Sequence, residues 1–159
     1  MKCSFVLPTF NAVEWLPAAV TSCLQQTHKD IEIVIINDAS TDTTDIYLAW
    51  LAKQEYASKI KIINNEVNLG RSASRNIGNK AAQGDILLVL DADDLAAPKR
   101  AGLTVTQFEK SAQFVHGACH KMDAVRRDMG LMETDVFDLN KAMETMTNRI
   151  VHSSVAYSR

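Results

Sequence analysis

Apolar positions along this chain alternate between two periods. Residues 4–7 form a short apolar run ended by Pro8 and read as a first strand. Val13, Leu16, Val20, Cys23, Leu24 and Thr27 then keep helical spacing, which predicts a helix ending near Gln26 with Pro17 in its first turn. The β-branched run 31–36 suits a strand buried on both faces. Residues 42–56 read as a second helix, with Ile46, Trp50 and Lys53 on one side and Leu48, Leu51 and Ala52 beside it. A third strand is expected at 59–63. A third helix follows at 72–83, with an inward stripe of Ala73, Ile77 and Ala81 and Gly84 at its end. The fourth strand, 85–90, stops at Asp91-Ala92-Asp93-Asp94, and Pro98 opens a helix through Lys110. Beyond it we expect a strand at 114–120, a turn at 128–130, a short helix at 138–149 and a last strand at 152–157.

This β-α-β-α-β-α-β order with short connections implies an α/β fold, a mostly parallel central sheet flanked by helices on both faces. Residues 1–159 show no repeat or linker and read as one domain. Sheets of this kind bind ligands beyond the carboxyl ends of their strands.

Composition narrows the field. With 47% hydrophobic and 23% charged residues, 159 residues can close a core without staples. A net charge of -2 argues against a nucleic-acid partner. The longest apolar stretch, 86–90, is far below the roughly 20 residues of a spanning helix, and residues 1–4 carry no signal-peptide pattern. Cys3, Cys23 and Cys119, odd in number and widely spaced, read as buried, reduced thiols of a cytoplasmic protein.

The strand ends carry the candidate chemistry. They are Pro8-Thr9-Phe10-Asn11 with Glu14 beyond, Asn37-Asp38-Ala39-Ser40-Thr41-Asp42, Asn68-Leu69-Gly70-Arg71 through Arg75-Asn76, and Asp91-Ala92-Asp93-Asp94. All fall on one edge of the expected sheet. Asp91 and Asp93, two apart in extended chain, can point the same way and share a hard cation such as Mg²⁺ or Mn²⁺, which would in turn bind phosphate oxygens; the plainer reading is a solvated turn opening a helix. Asp38 can accept from a base N–H or a ribose hydroxyl, or cap the next helix. Arg71 and Arg75, at a helix start, suit an anion or a helix-face ion pair.

Other residues carry less. His28 reads as packing or capping. His116 and His120 share a strand face with no third ligand, and His152 is more simply structural. Trp15 and Trp50 fit the core, and Met129, Met132, Met143 and Met146 fit irregular packing.

These clusters together resemble family 2 glycosyltransferases. Residues 8–11 with Leu16 and Gln26-Thr27, then residues 36–42, resemble the opening signature. Asn68-Leu69-Gly70 with residues 75–78 and Gly84-Asp85 resembles the middle one. Leu90-Asp91-Ala92-Asp93-Asp94 with Pro98 resembles the DxD metal motif. The resemblance spans about residues 3–103, and residues 152–155 resemble the strand before the acceptor side. It implies the GT-A fold, with its Rossmann-like nucleotide-binding half. It also implies metal-dependent, inverting transfer of a sugar from a nucleotide-diphosphate donor to a glycan, lipid-linked or other hydroxyl acceptor. UDP is the default nucleotide, with GDP and TDP open. Thr9 and Asp38 would contact base and ribose, and Pro8, Asn11 and Glu14 would shape that pocket. Arg71 or Arg75 would lie near the diphosphate, with Arg75 alternatively a buttress of the sheet. Asp91, Ala92 and Asp93 would face the sugar-diphosphate, with Asp91 and Asp93 toward Mn²⁺ or Mg²⁺ and Asp93 the better direct ligand. Ala39 stands where glycine is commonest, and Asn37 where aspartate is common.

The family's general base lies downstream, often before a Gln-x-x-Arg-Trp motif. Glu133, Asp135, Asp138 and Glu144 sit in no recognisable base motif, and the sequence given stops at Arg159. The expectation is therefore a truncated domain that binds donor and metal but transfers weakly, in the cytoplasm or peripheral to the inner face of the membrane. An apolar surface left where further chain would pack makes a homo-oligomer an expectation too. Two alternatives differ in class: a non-catalytic nucleotide-sugar-binding module that needs a partner, and a sugar nucleotidyltransferase. The second fits poorly, because residues 8–17 contain neither glycine nor Lys or Arg.

Overall fold

The computed structural model describes residues 1–122, 128–131 and 154–159. Four parallel strands, β1 (Cys3–Thr9), β2 (Ile31–Asn37), β3 (Ile60–Asn64) and β4 (Ile86–Val89), alternate with α1 (Leu16–Leu24), α2 (Thr44–Leu51) and α3 (Arg71–Ala81). α4 (Arg100–Glu109) and β5 (Phe114–His116) follow. β6 (His120–Met122) and β7 (Asp128–Leu131) pair antiparallel as a separate two-stranded sheet. β8 (Val155–Ser158) inserts antiparallel between β4 and β5, giving the order β3-β2-β1-β4-β8-β5.

Alternation along the strands sorts the core into two layers. Phe5, Leu7, Ile33, Ile35, Ile86 and Leu88 face α1, α2 and α4, where they meet Leu16, Val20, Leu48, Leu51, Ala101 and Phe108. Val6, Val34, Ile36 and Leu87 face the other way, under α3 and Ala82. Each fully buried side chain of this size contributes about 1.5–3 kcal/mol. The expected α/β architecture, helices on both faces included, is therefore the observed one.

Pro8 lies inside β1 rather than after it. Its missing N–H costs the ladder little. Val6 and Pro8 face β4, and the β1–β4 pairing has already ended at Val6↔Val89, while Thr9 faces β2 and accepts from Asp38 N–H at 2.8 Å. α1 begins where Pro17 predicts.

Other expectations need correction. α2 is shorter than 42–56 and buries Thr44, Leu48 and Leu51. Their spacing turns Ile46 and Trp50 outward to 65% and 52% exposure, so Trp50 is not core and stacks on Tyr47 instead. α3 faces the sheet with Ser74 and Gly78, followed by Ala82, while Ala73, Ile77 and Ala81 lie at the flanks. The helix comes so close that a Cβ on Gly78 would stand 2.5 Å from Ile36 Cδ1 and 2.6 Å from Val6 Cγ1, which leaves room only for small residues. The strand expected at 114–120 divides into β5 and β6, which places His116 and His120 in different sheets. Residues 128–130 belong to β7 rather than a turn, and Met129 is exposed rather than packed.

Cys3 and Cys23 are buried and Cys119 only partly so, all three as free thiols; burial pushes Cys3 up to about 11 and Cys23 to about 12. The helix expected at 138–149 lies outside the described residues, as do Met132, Met143, Met146, His152 and the carboxylates Glu133, Asp135, Asp138 and Glu144.

Candidate functional site

The chain adds strands outward from β1 to β3 and then returns to set β4 on the other side of β1. A cleft of about 460 Å³ opens at that switch, over the carboxyl ends of β1, β2 and β4. Pro8, Thr9, Asn11, Asp38, Arg71, Asp91, Ala92 and Asp93 line it together; Glu14 and Arg75 do not.

The floor is built from buried polar groups. Thr9, 2% exposed, donates its hydroxyl to Leu7 O at 3.2 Å. Asp38, also 2% exposed, accepts at Oδ1 from Asn65 Nδ2 (2.7 Å) and Leu69 N–H (2.9 Å), and at Oδ2 from Gly70 N–H (2.8 Å). Burial alone would raise its pKa. The Leu69 N–H, the Asn65 amide, the Ser74 hydroxyl and the Gly70 N–H outweigh burial and hold the carboxyl below its usual range. Asp38 therefore organises residues 65–70 from the floor of the cleft that it lines.

Asn11 sets the rim. Its φ of 48° is left-handed, which Asn tolerates better than most residues. Its Oδ1 accepts from Thr41 N–H at 2.7 Å and its backbone N–H donates to Ser40 Oγ at 3.0 Å, which staples the loop after β1 to the loop after β2. The Asp42 carboxylate completes the staple by accepting from Thr44 N–H (2.9 Å) and Val13 N–H (3.3 Å).

The two arginines part company. Arg75, with 12% of its side chain exposed, donates from Nη2 to Asp91 Oδ1 at 3.0 Å, beneath the cleft wall. Arg71 is 73% exposed in its side chain and stands 3.9 Å from Asp91 Oδ2. Arg71 is thus the cation that faces the cleft, and Arg75 is the buttress. Gly70 sets Arg71 at the start of α3 through φ 84° and ψ 160°, a conformation open essentially to glycine alone.

The acidic turn divides likewise. Asp91 is committed to Arg75, whereas exposed Asp93 lines the cleft and forms no hydrogen bond or ion pair among the described residues. No group of three or more His, Cys, Asp or Glu gathers among the described residues. This donor set fits a hard cation that draws most of its ligands from phosphate oxygens and water, since Mg²⁺ commonly takes only one or two carboxylates from protein.

Phe10, Trp15 and Ser74 also line the cleft. Phe10 is 48% exposed and offers a flat apolar face next to Thr9. Its place at a strand end was the signal available for it. Trp15 is half-buried at the cleft rather than in the core.

The glycosyl transferase family 2 profile matches residues 4–156. The chain belongs to that family. An uncharacterized glycosyltransferase of Haemophilus influenzae is 30% identical over 152 residues, covering 96% of this chain and 45% of its own length. The chain spans less than half the length of this relative and of an uncharacterized glycosyltransferase of Nostoc sp. that is 38% identical over 125 residues. Among solved structures, S. aureus TarS 1–349 in complex with UDP aligns at TM-score 0.75 and 22% identity, over 99% of this chain and 47% of that one. The Pyrobaculum calidifontis mannosyltransferase PcManGT, in complex with GDP-Man and Mn²⁺, aligns at TM-score 0.66 and 20% identity, over 72% of this chain and 34% of that one. These two likenesses establish the shared GT-A fold.

Proposed function

We propose that this family 2 glycosyltransferase chain binds a nucleotide-diphosphate sugar, UDP-linked by preference, together with Mn²⁺ or Mg²⁺, for inverting transfer to a hydroxyl acceptor. The observation that carries the reading is the polarity of the cleft. A buried carboxylate (Asp38) and an aromatic face (Phe10) lie along β1 and β2. An exposed guanidinium (Arg71) and an uncommitted carboxylate (Asp93) lie toward β4. Base and ribose suit the first end, and a diphosphate with its cation suits the second. UDP in TarS and GDP-Man with Mn²⁺ in PcManGT are ligands compatible with that division.

Within this reading, Asp38 orients the nucleoside and Thr9 shapes the floor beneath it. Arg71 offsets negative charge on the diphosphate, and Asp93 with Asp91 supplies the carboxylates for the cation. When bound, the cation neutralises charge that develops on the leaving diphosphate. Arg75 holds Asp91 in place.

Thermal stability is the test, measured with UDP, GDP, TDP and CDP, each with and without Mn²⁺. A ligand bound only by the native state adds about 2.7 kcal/mol at a hundredfold excess over its dissociation constant. A metal-dependent rise with UDP that is lost in Asp93→Ala is the expected result. No rise with any nucleotide would refute the reading.

A further inference from the structure

The acidic turn is anchored at both ends. Upstream, the Arg100 guanidinium donates to Val89 O at 2.7 Å and to Val155 O at 3.2 Å, which locks the start of α4 onto the ends of β4 and β8. Downstream, residues 96–98 are held by the carboxyl-terminal end of α1. Ser22 Oγ accepts from Ala96 N–H at 3.0 Å, Gln26 Nε2 donates to Ala97 O at 2.8 Å, and Thr27 N–H donates to Pro98 O at 2.9 Å. Gln26 Oε1 also accepts from Ala101 N–H at 2.9 Å, in the first turn of α4.

Gln26 is 0% exposed, and its amide bridges α1, the segment after the turn and α4. An apolar side chain of similar volume would fill the same space without fixing any backbone. Asp93 has no side-chain bond among the described residues, so its position is inherited from the ends of its turn, which is closed by Asp94 N–H donating to Asp91 O at 3.1 Å.

We infer that Gln26 is a positioning residue for Asp93: by fixing residues 96–98 it sets how far the acidic turn reaches into the cleft, and so how well a divalent cation couples to the diphosphate. This rests on the donor-site reading above. Gln26 touches neither ligand. It lies at the opposite end of α1 from the cleft-lining Trp15, and its effect is exerted through backbone.

The test compares UDP dissociation constants with and without Mn²⁺ in the wild type, Gln26→Met, Ser22→Ala and Leu51→Ala. Misplacing a ligating group by about 1 Å can cost up to about a hundredfold, so Gln26→Met should lower the Mn²⁺-dependent gain in UDP affinity about tenfold or more. Metal-free UDP affinity should change less than about twofold, since the Asp38 end is untouched. Ser22→Ala, which removes one anchor, should act in the same direction and decides the matter if Gln26→Met does not fold. Leu51→Ala, a core truncation on α2 away from the turn, should lower stability and leave the gain intact. Amide exchange of residues 91–97 should quicken in Gln26→Met and not in Leu51→Ala. An unchanged Mn²⁺ gain in Gln26→Met and Ser22→Ala, or an equal loss in Leu51→Ala, overturns the inference alone. Absence of any Mn²⁺ gain in the wild type overturns the donor-site reading and this inference with it.

Discussion

Arg75 holds Asp91 through a 3.0 Å contact from Nη2 to Oδ1, whereas Asp93 has no side-chain partner among the described residues, so the two outer carboxylates of the Asp91-Ala92-Asp93 motif differ in what fixes them. Arg75→Met leaves Asp91 without its main partner and is expected to cost about 1–3 kcal/mol, read as a lowered melting temperature. Asp93→Ala removes an exposed, uncommitted group and should change stability by less than about 0.5 kcal/mol while abolishing the metal-dependent nucleotide response. Equal stability losses in the two variants would contradict this division.

Phe10 presents a half-exposed ring beside the buried Thr9–Asp38 floor. Stacking of a base on an aromatic ring is worth about 1–3 kcal/mol, so Phe10→Ala should weaken nucleotide binding about tenfold or more, and Phe10→Tyr should retain it. Isothermal titration with UDP measures both. Undiminished affinity in the alanine variant would place the base elsewhere.

Gly70 has open space around its Cβ position, so the strain of a substitution there is purely conformational. At φ 84° and ψ 160°, Gly70→Ala should cost about 1–3 kcal/mol and draw the Leu69 and Gly70 N–H groups away from Asp38. Nucleotide affinity is expected to fall with stability, because the same N–H groups keep Asp38 ionised. Retained stability with full binding would show that the loop has another low-energy form.

Glu32 is the buried acid at the opposite edge of the sheet. It accepts from Ser4 Oγ at 2.5 Å and Gly84 N–H at 3.0 Å, with Lys2 Nζ at 3.3 Å. Burial would raise its pKa, but the Ser4 hydroxyl, the Gln83 N–H and the Lys2 ammonium outweigh it and hold the value below 4.5. A carboxyl depressed on folding adds stability above its unfolded value, and that stability is lost as pH falls through the folded value. Glu32→Gln should therefore destabilise by about 1–3 kcal/mol near pH 7, with a gap that narrows steadily below about pH 4.5. A gap independent of pH between 3 and 7, followed by urea unfolding, would remove the charge from the explanation.

What the sequence made legible follows from which forces act locally. The strands and their order were readable because β1, β2 and β4 are continuous apolar runs, and polar residues at their ends had to fall on one edge. The face of α2 was misread because Ile46 and Trp50 look like core residues while the close fit of Leu48 and Leu51 to the sheet decides the rotation. The face of α3 was misread for the reverse reason, since small residues rather than apolar bulk set its approach. The resemblance offered Arg75 as a sheet buttress, but type and spacing left either arginine open for the diphosphate, and the depth of each side chain separates them. Asn65, a loop residue with no motif around it, carried no sequence signal for its 2.7 Å bond to Asp38. Ala39 adopts φ 57°, a left-handed conformation that strains a residue other than glycine, and its type alone did not signal this.

The place of β8 in the sheet has a consequence for the order in which the molecule can assemble. β1 to β4 are parallel neighbours joined by short crossovers within the first 89 residues, but the outer partner of β4 comes from residues 155–158, at the far end of the sequence. During synthesis residues 86–89 emerge well before residues 155–158, so one flank of β4 waits unpaired until β8 has been made. Once complete, β5 depends on β8 for its pairing, so amide exchange should show residues 114–116 and 155–158 opening as one unit while β1 and β2 stay protected.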